Sequence, residues 1–339
     1  MSYTVAIAGA TGLVGRTMLR VLEERNFPIK ELKLLASARS AGQVVSAFGK
    51  EYIVEELTEH SFAGCDIALF SAGGSTSKQY APYAAAAGCV VIDNSSTWRM
   101  HPNAPLVVPE VNAYALEHHH GIIANPNCST IQMVVALQPI HEQFGLKRVV
   151  VSTYQSVSGA GQKGVDHLQA EIQGKEPESR ISTHPLAYNT VFHSITDASG
   201  FSEEEIKMKN ETRKIMNLPD VKIAVTCVRV PVLGAHSESV NVETEKPMTV
   251  ESIRAALQGK PGITLVDDPI NAVYPTPVAA SNKDDVFVGR IRLDDSVENG
   301  AHLWVVSDNL RKGAATNAVQ IAESLVAHNW LRFEPVEQW

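Results

Sequence analysis

Gly9-Ala10-Thr11-Gly12-Leu13-Val14-Gly15 follows the apolar run Val5 to Ala8 and opens a helical pattern, Val14, Met18, Val21 and Leu22, that Asn26 and Pro28 end. A glycine pattern carries meaning in this strand-to-helix setting and little outside it. Gly9 permits the tight turn, Gly12 lets the backbone approach a pyrophosphate, and Gly15 allows close packing of helix on strand. N–H groups at the helix start then face the anion, so Gly9, Thr11, Gly12, Leu13 and Val14 are expected to hold a dinucleotide.

Further apolar runs at Leu32 to Ala36, Ile67 to Phe70 and Val90 to Ile92 continue the spacing of βαβ units. A parallel strand pair needs a crossover, which the first helical pattern supplies. Past about residue 125 the runs lengthen: Val149 to Thr153, Ile223 to Val232, Ser239 to Glu243, Val286 to Leu293 and His302 to Val306. They predict a second, antiparallel sheet whose edge strands or helices could bury a partner subunit. Val319, Ala322 and Val326 share one face of a helix over Ala314 to His328, which should pack on one of the two sheets. The expected fold class is α/β: an N-terminal Rossmann-type doubly wound sheet plus an α+β catalytic and dimerisation domain. The expected boundaries are residues 1–127, completed by a C-terminal helix over 310–339, and residues 128–309.

With 339 residues, 44% hydrophobic and 19% charged, the chain has ample length for a buried core and is neither disordered nor collagen-like. A net charge of −8 argues against nonspecific nucleic-acid binding and offers no polybasic membrane patch. The expected partner is therefore a small molecule. Four cysteines, Cys65, Cys89, Cys128 and Cys227, stand far apart with no C-x-x-C pair, so neither a metal site nor a disulfide framework is expected. The N-terminus lacks a basic leader and no apolar stretch reaches membrane-spanning length, which predicts a cytoplasmic protein.

Where an NAD site would place an acid for the ribose hydroxyls, after the second strand, the chain reads Ala36-Ser37-Ala38-Arg39-Ser40-Ala41-Gly42. Arg39 with Ser37 and Ser40 could receive a 2′-phosphate, which favours NADP; a solvated surface arginine is the alternative. Ser71-Ala72-Gly73-Gly74 adds a second backbone approach, through Ser71 and Gly73, at the same sheet edge. Asn125-Pro126-Asn127-Cys128-Ser129-Thr130 precedes a helical pattern, Met133, Ala136, Ile140 and Phe144, that Gly145 stops and Pro139 should kink. Cys128 thus sits in a first helical turn, where the positive dipole end favours thiolate. By position alone it could equally pack a core. A thiol beside a nicotinamide implies acyl chemistry, with a thioester and an aldehyde exchanged by hydride transfer. None of the eight tyrosines has a lysine four residues later, which removes the short-chain alcohol dehydrogenase reading.

These motifs continue as Asn94-Ser95-Ser96-Thr97-Trp98-Arg99-Met100, Gln155-Ser156-Val157-Ser158-Gly159-Ala160-Gly161, Glu204-Glu205-Ile206-Lys207, Arg229-Val230-Pro231 with His236, and Asp308-Asn309-Leu310-Arg311-Lys312-Gly313-Ala314-Ala315. In that order they resemble the aspartate-semialdehyde dehydrogenase family over essentially the whole chain. The resemblance implies NADPH-dependent reductive dephosphorylation of 4-phospho-L-aspartate to L-aspartate 4-semialdehyde, in lysine, threonine, methionine and diaminopimelate biosynthesis. It implies Cys128 as nucleophile, Gln155 orienting the reacting group, and His236 as acid/base exchanging protons near neutrality. Phosphate contacts fall to Arg99, Lys207 and Asn127, the α-carboxylate to Arg229, and the α-amino group to Glu204. Ser158, Gly159 and Asn309 become nicotinamide-side contacts, and the assembly a homodimer, with a tetramer as the further alternative.

Taken without the resemblance, Glu204 and Lys207 read as a solvated helix pair, and Arg229 and His236 as surface or site equally. His118-His119-His120 has no counterpart among the motifs and reads as a solvated turn before Gly121. The rival readings are N-acetyl-glutamyl-phosphate reductase, which acts on a blocked amine that would not use Glu204, and a catalytically silent NADP-binding regulator.

Overall fold

The computed structural model describes residues 1–195, 198–336 and 339, which form two compact units. The first comprises Met1–Pro126 with Ala314–Trp339, the second Asn127–Gly313.

In the first unit, strands β1 (Tyr3–Ala8), β2 (Ile29–Ala36), β5 (Glu55–Glu56), β6 (Ile67–Phe70), β7 (Val90–Asp93) and β8 (Ile122–Ala124) form a six-stranded sheet in the order β5-β2-β1-β6-β7-β8. Every pairing in it is parallel. The inner strands are continuous apolar runs because both faces are covered. Between β2 and β5 a hairpin of β3 (Val44–Ala47) and β4 (Lys50–Ile53) was not expected from the sequence. Helices α1 (Leu13–Glu24), α2 (Gly74–Ala86) and the short α3 (Pro109–Asn112) make the connections. The predicted face of α1 is buried through Met18, Val21 and Leu22. The helix Thr316–Ala327 buries Val319, Ala322 and Leu325 in the same core as Ile7, Leu34 and Ile92.

The chain leaves β1 for β2 on one side and later β6 on the other, so the order reverses beside β1, where such sheets leave a crevice at the strand ends. Gly9 turns there with φ +87°, and a Cβ on it would meet the Ser71 carbonyl oxygen at 2.3 Å. A Cβ on Gly15 would lie 2.2 Å from the Gly9 oxygen, whereas one on Gly12 meets nothing nearer than 3.4 Å.

The second unit begins with α4 (Cys128–Phe144) and holds β9 (Leu146–Gln155), α5 (Gln162–Ile172), β10 (Val191–Phe192), α6 (Glu203–Met216), β11 (Lys222–Arg229) and β12 (His236–Thr244). It continues with α7 (Val250–Leu257), β13 (Ile263–Leu265), α8 (Pro277–Ala280), β14 (Val286–Asp294) and β15 (Gly300–Ser307). Its seven strands run in the order β10-β11-β9-β12-β15-β14-β13. The sheet is mixed rather than antiparallel, because β9 pairs parallel with β11 and β13 with β14. A long connection through α5 and α6 separates β9 from β11 and returns the chain in the same direction. The predicted run ending at Val232 leaves the sheet at Arg229. α4 carries Pro139 without ending and is buried almost all round, so the face inferred from its spacing is only part of what it packs.

His119 departs from the solvated-turn reading. It is 3% exposed, with Nε2 2.7 Å from the Trp330 carbonyl, Nδ1 accepting from Gly121 N–H at 3.1 Å, and its ring against Phe333. Among the described residues no group of acidic, histidine or cysteine side chains could hold a metal ion, and no helix is long and apolar enough to cross a membrane.

Gly15→Ala should cost about 3 kcal/mol through backbone overlap, while Gly12→Ala, at a helix start with room for a methyl, should stay within about 1 kcal/mol. Chemical denaturation of the two variants separates them, and equal losses would contradict the packing described.

Candidate active site

In the first unit two helix starts face the sheet's crevice. α1 is preceded by Gly12 and α2 by Gly73, φ +87°, and neither has a side chain capping its first N–H groups. A Cβ on Gly73 would meet nothing within 4 Å. Bare N–H groups with open space before them are what a dinucleotide's pyrophosphate requires, so these residues fit such a cofactor. Ser71 closes the crevice by donating its N–H to Ala8 O at 2.8 Å. Ser37, Arg39 and Ser40 lie on the turn that ends β2, with Ser37 and Arg39 exposed. Arg99 is buried and braces two strand ends, Nε donating to Asn125 O and Nη2 to Asn94 O, each at 3.0 Å.

The second unit gathers Asn127, Cys128, Gln155, Ser158, Gly159, Glu204, Arg229, His236 and Asn309. Asn127 caps α4: its Oδ1 accepts from Ser129 and Thr130 N–H at 3.0 and 3.2 Å, and its own N–H donates to Glu211 at 2.7 Å. Cys128 is therefore the first residue of the helix, half-buried, and a Cβ on Gly313 would stand 2.9 Å from its Cβ. All four cysteines are thiols, and the other three are buried as expected of core fillers. Asn127 Nδ2 and Gln155 Nε2 both donate to Glu204 Oε1, at 2.7 and 3.2 Å, and Gln155 also reaches Ser129 Oγ at 3.1 Å. Burial alone would raise the Glu204 carboxyl; His193, the two amides and Lys207 outweigh it and hold it below the ordinary carboxylate value. Lys207 pairs with Glu203 at 3.3 Å rather than with Glu204.

Arg229 ends β11 opposite Gln155 on β9, and its Nη1 donates to Ser156 O at 2.7 Å. His236 opens β12 fully buried. Ser156 N–H donates to its Nδ1 at 3.0 Å, which places the proton of the neutral ring on Nε2. Gly159 lies against this ring, since a Cβ there would be 3.2 Å from Nε2 and 3.4 Å from Arg229 Nη1. Burial first, then the Arg229 charge, lowers His236 to about 3. Burial thus favours the neutral form of this ring, below the range that the residue type alone suggests. Asn309 bonds both Ser156 and Ser158 hydroxyls and accepts from Ala235 N–H at 3.0 Å, fixing the residue that presents His236.

Three features were missed. Gly313 has no local signal, and His193, near Glu204 and Arg229, follows a short edge strand with no pattern of its own. Glu238 was legible, because His236, Glu238, Val240 and Val242 alternate along the buried face of β12. Its carboxyl is completely buried with both oxygens lacking a hydrogen-bond partner among the described residues, beside Thr153 across the strand pair. Burial drives it well above the ordinary value, opposed only by nearby Gln132.

A dinucleotide cradle on one unit and, on the other, a thiol opening a helix among amides and a guanidinium define a class, the thiol-dependent nicotinamide dehydrogenases. Residues 4–119 match the semialdehyde dehydrogenase NAD binding domain and residues 137–312 the semialdehyde dehydrogenase dimerisation domain. The chain is 57% identical over 335 residues to aspartate-semialdehyde dehydrogenase of Aquifex aeolicus, covering 96% of this chain and 98% of that protein. It is 53% identical over 334 residues to the Bacillus subtilis protein of the same name, covering 95% and 96%. Among solved structures, aspartate semialdehyde dehydrogenase II of Vibrio cholerae complexed with ASA matches with a TM-score of 0.92 and 49% identity, over 96% of this chain and 99% of that one. The chain belongs to the aspartate-semialdehyde dehydrogenase family.

Because the unfolded chain releases the Glu238 proton above about pH 4.5 while the folded one keeps it, this carboxyl costs stability increasingly as pH rises. Glu238→Gln should therefore raise the Tm over wild type more at about pH 8 than at about pH 5. Equal Tm differences at both would contradict a neutral Glu238.

Proposed function

We propose that the protein catalyses reductive dephosphorylation of 4-phospho-L-aspartate to L-aspartate 4-semialdehyde with NADPH, in the biosynthesis of lysine, threonine, methionine and diaminopimelate. The observation that carries the reading is Cys128 at the start of α4, with Gln155, Glu204 and Asn127 joined by hydrogen bonds at its foot. The Cys128 thiolate attacks the acyl carbon and the C–O bond to phosphate breaks, leaving a thioester on the sulfur. NADPH, when bound, supplies the hydride that reduces this thioester. The resulting tetrahedral oxyanion re-forms its C=O bond as the C–S bond breaks, which releases the aldehyde and restores the thiolate.

His236, the proposed acid/base, donates a hydrogen bond from Nε2–H to that oxyanion, since a neutral ring with Nδ1 accepting from Ser156 has its only proton on Nε2. Gln155 and Asn127 hold Glu204 ionised for the α-ammonium group, and Arg229 receives the α-carboxylate. Arg99 and Lys207, with the second N–H of the Asn127 amide, are assigned to phosphate. In the first unit Gly9, Thr11, Gly12, Leu13, Val14, Ser71 and Gly73 would cradle the dinucleotide and Ser37, Arg39 and Ser40 its 2′-phosphate. Ser158, Gly159 and Asn309 are assigned to its nicotinamide side. Residues 1–126 with 314–339 serve as the cofactor unit and 127–313 as the catalytic and dimerisation unit of a cytoplasmic homodimer; the dimerisation-domain match supports the pairing, and sedimentation decides between dimer and tetramer.

Spectrophotometric assay with L-aspartate 4-semialdehyde, phosphate and NADP should show phosphate-dependent NADPH formation that Cys128→Ala lowers by at least about 1,000-fold. A Cys128→Ala enzyme with unchanged turnover refutes the mechanism. Arg39→Asp should shift the NADP-over-NAD preference by about tenfold or more toward NAD; an unaltered ratio removes Arg39 from the 2′-phosphate site.

A further inference from the structure

A cavity of about 810 Å³ in the second unit carries four basic side chains on its wall, Arg180, His184, His193 and Arg229. Arg180 is already answered by Glu171 at 3.5 Å and Glu176 at 2.6 Å. His193 has no part in the mechanism above, yet it lines this cavity beside Arg229. β10 pairs antiparallel with β11, Val191 opposite Arg229 and Phe192 opposite Val228. Side chains alternate across a strand, so Phe192 turns out and is 69% exposed while Val191 lies on the face of Arg229, and His193, the residue after the strand, lies within reach of the Arg229 and Glu204 charges. His193 Nε2 is covered by protein and has no hydrogen-bond partner among the described residues. A covered ring nitrogen with no partner is rare in a protein interior and calls for a functional explanation.

The charged groups around the ring are Arg229, Glu204, Glu205 and Lys207. Two of these, Arg229 and Glu204, are the residues assigned above to the carboxylate and ammonium of the substrate's amino-acid end. Burial and the Arg229 charge lower the imidazole pKa, which favours the neutral ring beside the guanidinium. One arm of Arg229 is committed to Ser156 O at 2.7 Å, which leaves room for a second donor to a carboxylate held there. Turning the ring to present Nε2 to the cavity breaks no hydrogen bond at that atom.

We propose that His193 is a specificity-determining substrate residue, donating from its imidazole to the α-carboxylate beside Arg229 while Glu204 takes the α-ammonium group. This rests on the reading under Proposed function and adds to it the residue that selects a substrate bearing both groups on one carbon.

The test is steady-state kinetics on the full-length enzyme in the direction of NADP reduction. His193→Ala should raise the KM for L-aspartate 4-semialdehyde about tenfold, with the KM for phosphate and NADP within about twofold and kcat within about threefold. His193→Gln, which keeps a donor, should recover most of the loss, and His193→Phe, which keeps bulk without one, should behave as the alanine variant. For 3-aminopropanal, which lacks the α-carboxylate, kcat/KM should be the same in wild type and His193→Ala. The proposal is overturned by an unchanged semialdehyde KM, by a fall in kcat alone, by equal losses on both aldehydes, or by no recovery in His193→Gln. A wild-type enzyme inert toward the semialdehyde would instead overturn the broader functional reading.

Discussion

A single carboxylate oxygen, Glu204 Oε1, holds the second unit's chemistry together by accepting from the amides of Asn127 and Gln155. Through those two bonds the first turn of α6, the start of α4 and the end of β9 meet at one point. A buried charge without partners is expensive, so none of the three elements can drift without exposing that cost. Asn127 uses its amide oxygen to cap α4 and its backbone N–H to bind Glu211, which fixes Cys128 against the Gly313 backbone. The thiol's direction is thus set by hydrogen bonds made by its neighbours.

Electrostatics behind this layer follow from burial on one strand face. His236 and Glu238 stand two residues apart along β12, and burial favours the uncharged form of both: it lowers the base, with the Arg229 charge, and raises the acid against the pull of Gln132. Fixed charge near the thiol then includes Glu204 and Arg229, one of each sign. Under the proposed function that arrangement would receive a zwitterionic end group and leave His236 Nε2–H to respond to charge that develops only during reaction.

Local features were readable from the chain. The glycine loop, the runs that become β1, β2, β6 and β7, and the placement of Cys128 at a helix start all depend on residues a few positions apart. What needed the fold is non-local. The parallel pairing of β9 with β11 joins segments separated by two helices, and the same pairing sets Gln155 opposite Arg229. His119 reads as solvated from its polar neighbours and is buried only because Trp330 and Phe333 come back to it. His236 reads as an ordinary titrating histidine until its complete burial is known. For Glu204 and Arg229 the residue types alone favoured no role, and the ordered resemblance singled them out.

The first unit is discontinuous: its core takes Ile7 and Leu34 from one end of the chain and Val319 and Leu325 from the other, with the whole second unit inserted between. During translation the inserted unit is therefore complete in sequence before the helix Thr316–Ala327 has been made. The nascent glycine loop and its sheet must wait, partly uncovered, for that last segment to emerge. Such a delay hands chaperones a window on the cofactor-type unit that the interior unit does not offer.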